Sequence, residues 1–517
     1  MAEARDVHRL FDEIYLHFIP PYAVFDDMVK YNPEKPALIS GVDRKKMSYQ
    51  ELQEKSQRFA NALQKIGVKK GDRVIICLPN CFQFVISFLA LNRIGAVAIL
   101  LGPRERTWKI KEVVSKSQAK VAICSDDKVD DFDFLRKSRR SSLEHIVNVH
   151  LSPGPFKSSS SFHFPLLVAE NSPDFSPVNI IPEEDAAVII YKTRGKELVG
   201  ISHSNVTAAI YQLGKWFLQH RPEIFSSPEE RAFVFAPFEY PGLVSLLFSL
   251  TAGCSSVVFP KLYSDELKRG LVRWKNHSFL WTTPGLLNEL IKDFQRPDLS
   301  FLRFIGVLEQ SFNPFLEKNL YEKLAGEVEI IRILGFPEAF PMFIGLSGGA
   351  FSEVEGMEVR VKMGEFLVAG PQVFRGYWRD KVRTEAEREN GFWRSGLAGK
   401  KNGGSIIITD QIRNELIYSS FGGEVSPQEV EMVLESHPGV KQAIVVGKRT
   451  KKKQIEEEVI ALVILRRESE LTEKDLINYC RSLLKPEEVP SRIEILNLYS
   501  KGGRKSIVKI MKKTIMG

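Results

Sequence analysis

No stretch of this 517-residue chain approaches the roughly 18 apolar residues that cross a bilayer, so no membrane span is expected. Cysteine is scarce, with five residues at 77, 81, 124, 254 and 480. An odd and scattered set excludes a disulfide framework, and Cys77 and Cys81 lack the partners a zinc site needs. Cys77, Cys124 and Cys254 lie in apolar surroundings, which reads as buried thiols in a reducing, cytoplasmic compartment. None of the nine histidines has metal-ligand spacing, and no internal repeat is visible. The opening Met-Ala-Glu-Ala-Arg-Asp is too polar for a signal peptide. The closing Thr-Ile-Met-Gly carries no peroxisomal or retention address. The net charge of +8 is modest, and its clusters (Lys448 to Lys453, Lys501 to Lys513) lack interleaved aromatics, so nucleic acid is not an expected partner. Solvated faces are the first reading of these runs and a phosphate-rich ligand the second.

What is present is a soluble-type composition, 44% apolar and 26% charged, long enough for two to four domains. Ser48 and Glu51 form a capping box before an amphipathic helix with Leu52, Phe59, Leu63 and Ile66 on one face. A buried strand from Arg73 to Leu78, a helix from about Phe82 to Ile94 and an apolar strand from Ala96 to Leu101 follow. Strand–helix–strand order with solid apolar runs predicts a parallel sheet covered on both faces. Residues 152–178, rich in Ser and Pro, read as a surface loop. Residues 346–410 switch to short strands with Gly turns, as a small barrel or distorted sheet does. Beyond 411, helix 427–436, strands 441–447 and 457–466, helix 473–484 and strand 491–496 predict a compact α+β unit. The expected fold is therefore α/β. A large N-terminal domain (1–410) holds two layered α/β subdomains and a small distorted β-barrel, and a small mobile α+β domain (411–517) follows it.

Several stretches carry a resemblance. Met47-Ser-Tyr-Gln-Glu-Leu and Gly67-Val-Lys-Lys-Gly-Asp-Arg-Val74 come first. Next is the frame around residues 187–205, a strand, a polar loop and a second strand entering a helix, kept from Tyr191 to His203 and Asn205. Gly370-Pro-Gln-Val-Phe-Arg-Gly-Tyr-Trp378, Gly422-Gly-Glu-Val-Ser-Pro-Gln-Glu-Val-Glu431 and His437-Pro-Gly-Val440 complete the set. In this order, over about residues 24–510, they resemble the adenylate-forming superfamily of acyl-CoA synthetases, coumarate–CoA ligases and luciferases. The resemblance implies that a carboxylate attacks the α-phosphate of ATP, giving an acyl-adenylate, and that a thiol, usually of CoA, then displaces AMP. It implies ATP and Mg²⁺ as cofactors, and a carboxylic acid or acyl thioester, CoA or a carrier-protein thiol as partners.

The same resemblance assigns site residues, and the chain departs from the pattern at most of them. The phosphate loop becomes Lys192, Thr193, Arg194, Gly195 and Lys196, about three residues short and with one glycine left to form an anion nest. Thr193 can supply a hydroxyl to phosphate and metal, and the cations can bind phosphate by charge. Around 334–338, Gly335 and the metal-binding Glu338 remain, while Leu334 replaces the adenine-stacking aromatic and Pro337 the phosphate-contacting Thr. Leu397 stands where an Asp accepts both ribose hydroxyls; a lost acceptor costs roughly 1–3 kcal/mol. Gln411 aligns with the hinge Arg, unless a shift lets Arg413 serve, and Ser506 with the catalytic Lys, unless one insertion brings in Lys505. Glu239 and Tyr240 stand near where the family often has His, and His203 has a structural role. Gly422 and Gly423 lie near the pantetheine arm. The acyl pocket falls on Phe238, Tyr240, Leu308, Phe312, Phe336, Phe340 and Phe343.

Four lost contacts at about 1–2 kcal/mol each remove about three to six decades of ATP affinity. Three readings follow: an acyl-CoA synthetase-like protein with a degenerate ATP site, weak or inactive as an acid–thiol ligase; an active ligase with a phosphate site rebuilt from Lys and Arg; or a scaffold binding an acyl group or acyl-CoA.

Overall fold

The computed structural model describes residues 18–139, 141–151, 161–192, 197–225, 230–261, 269, 278–293, 299, 302–310, 324, 328–411, 417–418, 424–425, 427–450, 453–466 and 469–496. The first capping box forms as expected. Ser48 Oγ accepts from the Glu51 N–H at 3.1 Å and Glu51 accepts from the Ser48 N–H at 2.8 Å, opening helix α1 (Tyr49–Lys65). The apolar runs that follow become β1 (Arg73–Cys77), α2 (Phe82–Arg93) and β2 (Val97–Leu101). Then come α3 (Thr107–Ser117), β3 (Val121–Ser125), β4 (His145–Val149), β5 (Ala186–Lys192) and β6 (Glu197–Ser202). Together they form an eight-stranded sheet in the order Gly376–Tyr377, β6, β5, β2, β1, β3, β4, Phe162–His163. The pairs from β5 to Phe162–His163 are parallel, while β6 lies antiparallel to both its neighbours.

A second, 14-stranded sheet is built on β7 (Arg231–Phe235), β8 (Ser255–Val258), β9 (Ser278–Thr282), β10 (Leu302–Glu309) and β11 (Glu329–Phe336). These pair in parallel, in the order β8, β7, β9, β10, β11. Beyond β11 the sheet turns antiparallel through β12 (Ala339–Leu346) and Phe351–Glu353. Chain segments β13 (Glu365–Ala369), β14 (Phe392–Asn402) and β15 (Ser405–Gln411) extend it further, with β15 next to Phe351–Glu353, then β14, then β13. The short strands expected as a barrel or distorted sheet are thus an open antiparallel extension of the large sheet in the described pairings.

The largest core cluster draws residues from both sheets and from α2, α4 (His203–His220) and α5 (Tyr240–Thr251). Every residue of α5 is buried, as its all-round apolar sequence requires. Arg93 inside α2 is buried because Asp26 takes it in a two-bond fork at 2.6 and 2.5 Å. Smaller clusters cover the opposite faces of the two sheets.

Past 426, the small unit expected from the sequence appears as α6 (Pro427–Ser436), β16 (Val440–Thr450), β17 (Lys453–Leu465), α7 (Glu473–Leu483) and β18 (Arg492–Ile495). It has its own core. An ion pair ties it to the large part: Arg106, just before α3, meets Glu488 at 2.6 Å. The segment 152–178 is not wholly loop. Phe164–Ala169 forms a short helix because Phe164 packs on Phe59, with ring centres 4.6 Å apart. All five cysteines are free and buried.

Candidate active site

The β5–β6 hairpin places Lys192 opposite Glu197 in register. Between β11 and β12 only Pro337 and Glu338 remain as the turn, with Phe336 paired to Ala339. This turn is held by the segment before Trp378. The Glu338 carbonyl accepts from the Phe374 N–H at 2.7 Å, and Ala339 bridges Val373. The same segment pairs Gly376 and Tyr377 with Gly200 and Val199 of β6, so both hairpins share one support.

The result is a buried charge cluster. Glu338 has no exposed surface, and its Oε1 accepts from Lys192 Nζ at 2.6 Å and from the Tyr377 hydroxyl at 3.2 Å. Its Oε2 is buried with no hydrogen-bond partner among the described residues. Glu197 pairs with Arg383 at 2.9 Å, and Arg383 also meets Glu387 at 2.9 Å. Burial pushes the Glu197 carboxyl upward against the pull of Arg383 and Lys192. Burial also drives the Tyr377 phenol up, with the Glu338 charge adding to it, so Tyr377 stays a donor. Three carboxylates and two basic side chains thus occupy the region where the resemblance sets phosphates and metal.

A divalent metal does not fit the residues present. A Lys192 ammonium at 2.6 Å already fills the direction from which a cation would reach Glu338 Oε1, and like charges at such range repel. Among the described residues no group of three His, Cys, Asp or Glu side chains is arranged to hold an ion. Leu397 is fully buried in the main core, on β14 opposite Gln411, where it offers a ribose no acceptor. Leu334 is equally buried in the middle of β11. Gly335 accommodates a ring instead: a Cβ there would stand 2.8 Å from Phe340 Cδ2 and 2.7 Å from the Ala339 carbonyl.

The described residues expected to wall the acyl pocket lie inside the protein. Phe238, Tyr240, Leu308, Phe336, Phe340 and Phe343 are all buried in the main core cluster, with Tyr240 and Phe340 rings 6.2 Å apart. The Tyr240 hydroxyl has no hydrogen-bond partner among the described residues, and burial pushes its pKa up. Asn80, which no sequence motif marks, anchors the segment that leads into Phe238. It donates to the Ala236 carbonyl at 2.7 Å and accepts from the Phe238 N–H at 3.0 Å. Tyr377 likewise carries no site signal of its own in the sequence, although it lies within the 370–378 motif. His203 opens α4, fully buried, and burial pulls its pKa down to about 4, in keeping with a structural role. Thr193, Arg194, Gly195, Lys196, Phe312, Arg413, Gly422, Gly423, Lys505 and Ser506 lie outside the described residues.

Comparison with known proteins gives the family. The AMP-binding enzyme model matches residues 25–378, and that of the AMP-binding enzyme C-terminal domain matches 429–501. The chain is 25% identical to 4-coumarate–CoA ligase CCL1 of Humulus lupulus over 90% of this chain and 88% of that one. Its fold matches the amide bond synthetase McbA of Marinactinospora thermotolerans with a TM-score of 0.76 at 20% identity, over 95% and 99% of the two chains. It also matches the ATP-bound structure of MatB from Rhodopseudomonas palustris with a TM-score of 0.66 at 21% identity, over 96% and 100%. The chain belongs to the AMP-binding enzyme family, as an acyl-CoA synthetase-like member of the adenylate-forming superfamily.

Proposed function

We propose that this acyl-CoA synthetase-like protein has a degenerate ATP site and is weak or inactive as an acid–thiol ligase. The observation that carries the reading is the Lys192–Glu338 ion pair. The glutamate that the resemblance gives to metal is engaged inside the protein, and so is Lys192, the first cation of the shortened loop pattern. Leu397 supports it, because a ribose would have to leave its hydroxyls unpaired beside a core leucine, at roughly 1–3 kcal/mol. The same pair argues against an active ligase with a rebuilt phosphate site, since Lys192 is engaged with Glu338. The acyl side is less altered. The wall of Phe238, Tyr240, Leu308, Phe336 and Phe340 favours, as a second reading, a protein that holds an apolar acyl group or acyl thioester without activating it. The five buried free thiols suit a cytoplasmic setting.

The test is pyrophosphate exchange with ATP, Mg²⁺ and a panel of aromatic and fatty acids. Exchange at or near background is expected; robust turnover with any acid refutes the reading. Thermal shifts with ATP, AMP, CoA and acyl-CoA then separate the second reading from the first, because stabilisation follows ligand concentration over Kd. A shift with acyl-CoA and none with ATP favours the binding protein.

A further inference from the structure

We infer that Lys192 Nζ is a resident cation that takes the place of a divalent metal at Glu338, so that this site neither needs nor admits one. This rests on the reading of the site given above. Glu338 is sealed from solvent, yet one of its oxygens is shared by an ammonium and a phenol. The second oxygen faces no hydrogen-bond donor among the described residues. A buried carboxylate requires a compensating cation, and a lysine inside the hairpin supplies it permanently. Lys192 also stands across the hairpin from Glu197, which pairs with Arg383 at 2.9 Å. Lysine is suited to the role, because its ammonium is a compact point charge that can sit where an ion would.

The ammonium and a divalent ion therefore compete for one position. Replacing the lysine with serine takes from Glu338 its ammonium, while Glu197 keeps Arg383, so the variant should gain an affinity for a divalent ion at Glu338 that the native site lacks. Any anion bound at the native site would be bound in the same way with or without chelator.

The experiment is Mn²⁺ titration of the full chain, followed by electron paramagnetic resonance. The native protein should show no stoichiometric Mn²⁺, Lys192→Ser should gain at least about tenfold in affinity for one ion, and Lys192→Ser/Glu338→Gln should lose it. Lys192→Arg, which keeps the charge, should stay metal-free. One equivalent of Mn²⁺ on the native chain that Glu338→Gln abolishes overturns the inference. So does a folded Lys192→Ser variant that gains no site. Should Lys192→Ser not fold, the native and Glu338→Gln titrations still decide. Pyrophosphate exchange in EDTA keeps this distinct from the functional reading: turnover without metal refutes inactivity and leaves the resident cation standing, whereas metal on Glu338 without turnover does the reverse.

Discussion

Glu338 is fully buried and Lys192 nearly so, which makes their ion pair costly to halve. Glu338→Gln or Lys192→Met alone should each lower stability by about 3–5 kcal/mol, because each leaves one buried group without its partner. The double variant should recover most of that loss, and urea denaturation of the three proteins measures the cycle. At Leu397 the opposite repair fails. Leu397→Asp, which restores the carboxylate of the resemblance, should destabilise more than the roughly 2–5 kcal/mol of Leu397→Ala, since it sets a charge in the main core. A Leu397→Asp protein that folds normally and binds ATP would refute this. The sequence marks both Lys192 and Glu338, but for different ligands, phosphate and metal. They stand 146 residues apart, and no local pattern reveals that they meet each other. Leu397 is legible as a loss in the sequence; that it plugs the core is visible only once both sheets are assembled.

Elements with local signals follow the sequence closely. The Ser48–Glu51 box, the apolar stripe of α1 and the solid run of β1 are set by neighbours within a few residues, and they form where expected. The 152–178 segment is harder to read, because its short helix depends on Phe59, about a hundred residues earlier. In β11, Gly335→Ala should cost about 1–3 kcal/mol, because the new methyl would press on Phe340 and on the Ala339 carbonyl. Thermal or chemical denaturation checks it. Helix α4 has a pH signature. His203, at its first turn, titrates near 4 when folded because burial disfavours its charge, and near 6.5 when unfolded. The folded pKa is depressed, so the unfolded chain takes up the proton first as pH falls. This contribution is whole above about pH 6.5 and is lost between there and about pH 4, amounting to about 3 kcal/mol. His203→Phe, if it packs, should flatten that part of the stability profile; an unchanged slope would exclude His203 as its source.

For the whole molecule, the Arg106–Glu488 pair is an ion pair between the large part and the small domain. Glu488 is buried and Arg106 about a quarter exposed, so the contact should be worth about 1 kcal/mol and should weaken with salt. Arg106→Ala should raise the population of separated domains several-fold, as measured by the distance between two spin labels. A distribution identical to the native one would show that the pair holds nothing. This contact, 382 residues long in sequence, had no local signal. The order of domains and the small α+β unit did, because each forms around its own core.

One property of the large sheet bears on how the chain responds to mechanical load. β15 is the last strand before the small domain, and its final rung, Gln411 opposite Leu397, lies at the open end of the β14–β15 ladder. Tension applied through the C-terminal part would therefore peel β15 like a zipper, loosening the Leu397 rung before any other, whereas the parallel strands β7 to β11 deeper in the sheet would be spared.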